Sequence, residues 1–105
     1  MSNSLDNLKH AIKLGDFDKA LAILNSPEMD DESSSEYHYL AAVANRYVRK
    51  FDLAEQHLKK LTTQSPGYAR GLQELGHLYR DQAQYEAAID YYRLATQINS
   101  ALVAS

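Results

Sequence analysis

Residues 69–96 read ARGLQELGHLYRDQAQYEAAIDYYRLAT, and the rest of the chain aligns with this stretch in steps of about 34 residues. Two columns of that alignment show the register, an aromatic column (Phe17, Phe51 and Tyr85) and an alanine column (Ala20, Ala54 and Ala88). Aromatic residues make up 10% of the chain, so three of them in one column would arise by chance on the order of once in a thousand trials. The chain therefore contains three copies of one unit.

Each copy has the apolar spacing of two amphipathic helices. In the last copy, Leu72, Leu75 and Tyr79 recur at intervals of three and four residues, as one face of a helix requires. The small residues of the alanine column allow the two helix backbones of a copy to approach closely. No segment alternates apolar and polar residues over a useful length, so we expect helices and no strands.

Turn and cap residues divide the copies into individual helices. The turns inside the three copies are predicted at Gly15-Asp16, Lys50 and Gln84. Ser33 followed by Glu36 has the spacing of a capping box, which predicts a helix start just before the apolar run that follows. Pro27 comes early in the first copy, so the second helix of that copy should be short.

The pattern of the last copy is Leu72-x2-Leu75-Gly76-x2-Tyr79, followed by Ala88-x3-Tyr92 and Ala95. It resembles the tetratricopeptide repeat, a helix-turn-helix of about 34 residues, and the resemblance extends over roughly residues 2–102. The chain departs from the family pattern by having no tryptophan, by Asn45 where an aromatic residue is usual, and by Ser100 where proline is usual.

The resemblance implies an all-α fold, a right-handed superhelical stack of three helix-turn-helix repeats with about six helices. We expect one domain over residues 1–105, with repeats at about 1–34, 35–68 and 69–102. Three stacked units are about the minimum for independent stability in this architecture.

The charge is unevenly distributed along the chain. The formal net charge is -3, and residues 27–36 hold five acidic residues and no lysine or arginine. We interpret residues 27–35 as an acidic loop between the first and second repeats. This loop is either a solvated linker whose carboxylates favour the start of the next helix, or a segment that folds back over a basic groove.

Nothing in the sequence has the arrangement of a catalytic or metal site. The chain has no cysteine, its four histidines lack metal-ligand spacing, and its four glycines are too scattered to form a phosphate loop. Paired carboxylates occur only in the acidic loop. We therefore expect no enzyme activity, no metal and no cofactor.

We expect a surface of the helical stack to carry the function by binding a ligand. The resemblance implies that the first helix of each repeat lines a concave groove for a peptide or a partner helix, so that the protein is a protein–protein interaction module. Arg46 and Arg80 are expected to be exposed partners of ligand carboxylates, and Tyr39 to be an apolar platform. The alternative is that these residues form ordinary solvated helix faces. The candidate groove residues are Lys9, Lys13, Tyr39, Val43, Arg46, Gln73, His77 and Arg80, with Ile12 and Tyr47 beside them.

Bases and aromatic residues predominate in that set, so an acidic or aromatic-containing peptide is the expected partner. Lys9, Val43 and His77 occupy a column in which relatives that bind chaperone tails have asparagine, so chaperone-tail binding is not predicted. The negative net charge and the lack of a continuous basic stripe argue against nucleic acid. No apolar stretch approaches the length of a membrane span and the N-terminal residues lack the pattern of a signal peptide, so we expect a cytoplasmic protein without membrane contact.

The end of the sequence supports two further expectations. Residues 100–105 look like the beginning of another helix, so the C-terminal cap of the stack is expected to be incomplete. Ile89, Tyr92 and Leu78 would then present an apolar surface and allow a homodimer through this face. Residues 68–79 also look like the repeat region that precedes the catalytic domain of some bacterial sulfotransferases. In that alternative, the chain is the non-catalytic N-terminal part of a larger enzyme and serves assembly or recruitment of a substrate protein.

Overall fold

The computed structural model describes residues 4–27, 29 and 34–99, and its regular structure within these ranges is entirely helical, as predicted. No helix in the described part of the chain is long and apolar enough to cross a membrane. The helices are α1 (Ser4–Lys13), α2 (Phe17–Leu24), α3 (Ser35–Tyr47), α4 (Phe51–Gln64), α5 (Ala69–Asp81) and α6 (Tyr85–Ile98). They form three successive hairpins, which confirms a stack of helix-turn-helix repeats.

The turn inside each hairpin repeats the same backbone geometry. Gly15, Arg49 and Ala83 are spaced at 34 residues and have φ values of 77°, 65° and 61°, in the left-handed region that favours glycine. In each turn the next amide donates to the carbonyl five residues earlier: Asp16 to Ala11 at 2.9 Å, Lys50 to Asn45 at 2.8 Å, and Gln84 to Tyr79 at 2.8 Å. The repeat in the sequence is therefore also a repeat in hydrogen bonding.

Side-chain caps are present at only some of the helix starts. The Asp16 carboxylate accepts from the Lys19 amide at 3.2 Å, and the Ser34 hydroxyl accepts from the Tyr37 amide at 3.0 Å. The predicted cap Ser33 lies outside the described residues, and α3 is capped by the next serine instead. Gln84 precedes α6 without a side-chain cap bond.

The first hairpin is the irregular one. Helix α2 has 8 residues and α4 has 14, which confirms that the second helix of the first repeat is short. In the later repeats Leu61 of α4 packs on Gly71 of α5, where an added Cβ would lie 2.6 Å from Leu61 Cδ2. The residue equivalent to Gly71 in α3 is Tyr37, which is buried together with Met29 in the first core cluster.

The core consists of two clusters that share α3. Leu40, Ala41 and Ala44 belong to the cluster of the first hairpin, and Ala42 belongs to the cluster of the second and third hairpins. The alanine column is buried as predicted, with relative exposures of 0% for Ala20, 0% for Ala54 and 2% for Ala88.

The contacts between helices define two layers. The first helices lie side by side, because α1 contacts α3 and α3 contacts α5. The second helices lie outside this row, and α2 and α4 each contact the first helix of the following hairpin. Side chains from all three hairpins therefore share one surface on α1, α3 and α5.

Candidate functional site

The predicted groove residues are distributed over that shared row of helices. One set of equivalent repeat positions holds Lys9, Val43 and His77. The set one helical turn later holds Ile12, Arg46 and Arg80. Lys9, Lys13 and Arg80 are exposed, Tyr39, Gln73 and His77 are intermediate, and Val43 and Arg46 are buried. The set spans all three first helices, but its members differ widely in their access to a ligand.

The expectation that Arg46 is exposed is wrong. Its relative exposure is 7%, and its guanidinium forms a forked ion pair with Glu74, which is itself only 3% exposed. Its third contact is with Asp81, whose Oδ2 lies 2.9 Å from Nη1. Two α5 carboxylates surround this α3 cation because a buried guanidinium requires paired charges and satisfied donors.

The ion pairs also control the protonation of this cluster. Burial by itself would lower the pKa of Arg46, but the hydrogen bonds that its guanidinium donates to Glu74 and Asp81 outweigh burial and raise that pKa. Burial raises the pKa of Glu74 against the opposing effect of Arg46. For Asp81, the hydrogen bonds from Arg46 and Arg80 outweigh partial burial and lower the pKa. The centre of the predicted groove is therefore an internally neutralised cluster and not a free cation.

His77 is neutral at physiological pH. Burial first, and then the charges of Arg46 and Arg80, lower its pKa to about 4. Its Nδ1 lies 2.7 Å from the Tyr92 hydroxyl of α6, within the same hairpin. His77 thus contributes a hydrogen-bonding ring to the surface and no positive charge.

Lys9 of the first hairpin and Tyr39 of the second add a charged group and an aromatic ring to this surface. Lys9 Nζ lies 3.1 Å from Glu36 Oε1, and the two side chains are 60% and 45% exposed. An exposed pair of this kind contributes little stability, so a ligand carboxylate can compete for the lysine. The ring of Tyr39 lies 5.8 Å from that of Tyr68, and burial raises the pKa of Tyr39.

Several contacts of this surface were not predicted from the sequence. The pairs of Arg46 with Glu74 and of His77 with Tyr92 join residues 28 and 15 positions apart. Neither separation is a repeat length, so the alignment of the copies carries no signal for either contact. A further unpredicted pair lies between α3 and α4, where His38 Nδ1 is 3.0 Å from His57 Nδ1.

Neither the His38–His57 pair nor the His77–Tyr92 pair belongs to a larger cluster of groups that could bind a metal. Within residues 4–27, 29 and 34–99, no three His, Cys, Asp or Glu side chains gather as a metal site would require. Burial and the charge of Lys60 lower the pKa of His38, and burial, His38 and Lys60 lower that of His57 to about 4. A hydrogen bond between two neutral imidazoles accounts for their separation.

The predicted apolar face of the last hairpin is only partly present. Ile89 is 47% exposed and Tyr92 is intermediate, whereas Leu78 is fully buried. The expectation that Leu78 contributes to this face is therefore wrong, because the side chain belongs to the core cluster of the second and third hairpins.

Comparison with known proteins identifies the repeat. A family model described as tetratricopeptide repeat matches residues 69–102, which include α5 and α6. No curated protein matches the chain, and the resemblance to the sulfotransferase repeat region has no support. Repeats of this family are typical of protein–protein interaction modules and not of catalytic domains. The matched third hairpin and the six-helix stack fit a tetratricopeptide repeat protein.

Proposed function

We propose that this protein binds a peptide or a partner helix along the surface of α1, α3 and α5, which we name the inner groove. The observation that carries this proposal is the arrangement of the first helices. Helix α1 contacts α3 and α3 contacts α5, so an extended ligand can contact side chains of all three repeats at once. The surface offers both cations and a partly exposed aromatic ring, which together suit peptide recognition.

The charge of the inner groove is concentrated toward its two ends. Arg46 in the centre is neutralised by Glu74, whereas Lys9 and Lys13 on α1 and Arg80 on α5 remain exposed. An acidic peptide would therefore place carboxylates near both ends and apolar or aromatic side chains near Tyr39. This arrangement replaces the expectation that Arg46 itself holds a ligand carboxylate.

The test is selection of peptides from a random library by the intact domain, followed by titration of one selected peptide. Lys13→Glu combined with Arg80→Glu should weaken binding at least tenfold, because it reverses two exposed charges of the inner groove. The matched control is Lys19→Glu combined with Arg93→Glu, which makes the same charge change on α2 and α6. Binding lost in the control and retained in the groove variant would place the functional surface elsewhere.

We also propose weak self-association through α6. Ile89 is 47% exposed and lines a shallow depression together with Tyr92, Arg93 and Thr96. Sedimentation should show a concentration-dependent dimer that Ile89→Glu weakens. A wild-type protein that stays monomeric at high concentration would exclude this contact.

A further inference from the structure

A small cavity lies between α2, α3 and α4. Its volume is about 160 Å³. Two of its lining residues, Tyr37 and Asn45, are buried, at 7% and 5% exposure. The remaining lining residues are Leu21, Leu24, Asn25, Lys50, Leu53 and His57. We name this space the Asn45 cavity.

The third repeat has aromatic side chains at the positions equivalent to two residues that line the Asn45 cavity. Thirty-four residues after Asn45 the chain has Tyr79, and 34 residues after His57 it has Tyr91. The rings of Tyr79 and Tyr91 stack with centroids 5.5 Å apart and an interplanar angle of 6°. The Tyr79 hydroxyl also donates to Glu55 at 2.6 Å. The second repeat has an amide and an imidazole at the positions where the third has two stacked rings.

The size of the cavity agrees with this comparison. A cavity of about 150 Å³ in a protein core is large enough to take a benzene ring. The Asn45 cavity is therefore large enough for a ring of the kind that the third repeat has at the equivalent position.

The residues that line the Asn45 cavity also indicate a charged group on the ligand. Leucines from α2 and α4 provide apolar walls, while Asn25 and Lys50 are exposed and lie at the mouth. Lys60 is also close enough to influence the His57 ring electrostatically. Lys50 and Asn25 at the mouth favour a negatively charged substituent that remains there while the ring is inside.

We propose that the Asn45 cavity binds a free small molecule with a single aromatic ring that carries a carboxylate. The ring occupies the position that the Tyr79 side chain takes in the third repeat, against His57. The carboxylate lies beside Lys50 and Asn25. This site is separate from the inner groove, since its walls come from α2 and α4 as well as α3.

The probe for this proposal is benzoate, titrated into the intact protein while amide and side-chain NMR signals are recorded. A ligand of this size should bind with a dissociation constant on the order of 1 mM. Signals of Asn45 and His57 should shift in a saturable manner, and acetate at the same ionic strength should not produce these shifts.

Two variants locate the binding. Asn45→Tyr copies the third repeat, so it should raise the melting temperature and abolish saturable benzoate binding. Lys50→Glu should weaken benzoate at least tenfold while leaving binding of uncharged phenol within about twofold. If Asn45→Tyr fails to fold, Leu24→Phe fills the same cavity from α2 and should abolish binding in the same way.

The proposal is overturned if benzoate produces no saturable shifts in the folded wild-type protein. It is also overturned if a folded cavity-filling variant binds benzoate as tightly as the wild type does. Equal loss of benzoate and phenol in Lys50→Glu would overturn the assignment of the carboxylate to the mouth.

Discussion

The uncapped start of α6 allows a stabilising substitution to be derived from within the molecule. Asp16 before α2 has φ -90° and ψ 78°, and its carboxylate accepts from the Lys19 amide. Gln84 before α6 has nearly the same backbone, with φ -96° and ψ 74°, but makes no side-chain cap bond. In Gln84→Asp, the shorter carboxylate should therefore reach the amide of Ala87.

The size of the effect follows from two contributions. A new side-chain cap stabilises a helix by about 1 kcal/mol. A negative charge at a helix start adds about 0.3–1 kcal/mol at low ionic strength. The template bond of Asp16 is relatively long at 3.2 Å and exposed, so we expect the cap bond to contribute only about 0.5 kcal/mol and the two contributions together about 1 kcal/mol. For a chain of this length, that corresponds to a rise in melting temperature of about 4 °C.

Urea unfolding followed by circular dichroism measures this change, and two control variants separate its causes. Gln84→Asn can form the cap bond without a charge, and Gln84→Glu adds the charge on a side chain that is a poor cap. The aspartate variant should be the most stable of the three, and Asp16→Gln should lose a similar amount of stability at the start of α2. An aspartate variant no more stable than the wild-type protein, or equalled by the glutamate variant, would refute the argument from cap geometry.

Three other measurements test the remaining structural conclusions. Ala83→Gly should raise the free energy of unfolding by about 0.5 kcal/mol. The φ of this residue is 61°, and the left-handed strain that glycine relieves exceeds the extra conformational entropy that glycine gives the unfolded chain. A lower urea midpoint would contradict this prediction. Arg46→Met should lower the free energy of unfolding by about 3–5 kcal/mol, since it leaves Glu74 buried without its cation. The control Arg80→Met, at an exposed position, should change the free energy of unfolding by less than about 1 kcal/mol. The pKa of His57 is lowered to about 4 in the folded protein, so between that pH and about 6.5 the unfolded chain binds more protons than the folded one. The free energy of unfolding should therefore fall as the pH drops through this interval. A His57→Gln variant with an unchanged pH dependence would exclude this histidine as a cause.

The sequence predicted those features that depend on a position within one repeat. The aromatic column Phe17, Phe51 and Tyr85 coincides with the first residues of α2, α4 and α6. Pro27 predicted the short α2 because proline prevents the helix from continuing. Such features are local, so a single sequence compared with itself is sufficient to reveal them.

The contacts between repeats were not predictable in the same way. Arg46 was expected to be exposed because the repeat register places it, like Arg80, on the groove-facing side of a first helix. The difference arises from the neighbouring hairpin: α5 follows α3 and supplies Glu74 and Asp81 to Arg46. The exposure of a repeat residue therefore depends on which helix packs next to it, and that information does not lie in its own column.

The short α2 has a consequence for how the protein opens. A helix of 8 residues is marginal without its tertiary contacts, whereas α3 keeps a contact with the second core cluster through Ala42 even when α1 and α2 are displaced. The first hairpin should then detach while the other two remain folded, as nearest-neighbour coupling in repeat proteins allows. Amide hydrogens of α1 and α2 should accordingly exchange with solvent through a partial opening, and those of α5 only when the whole chain unfolds.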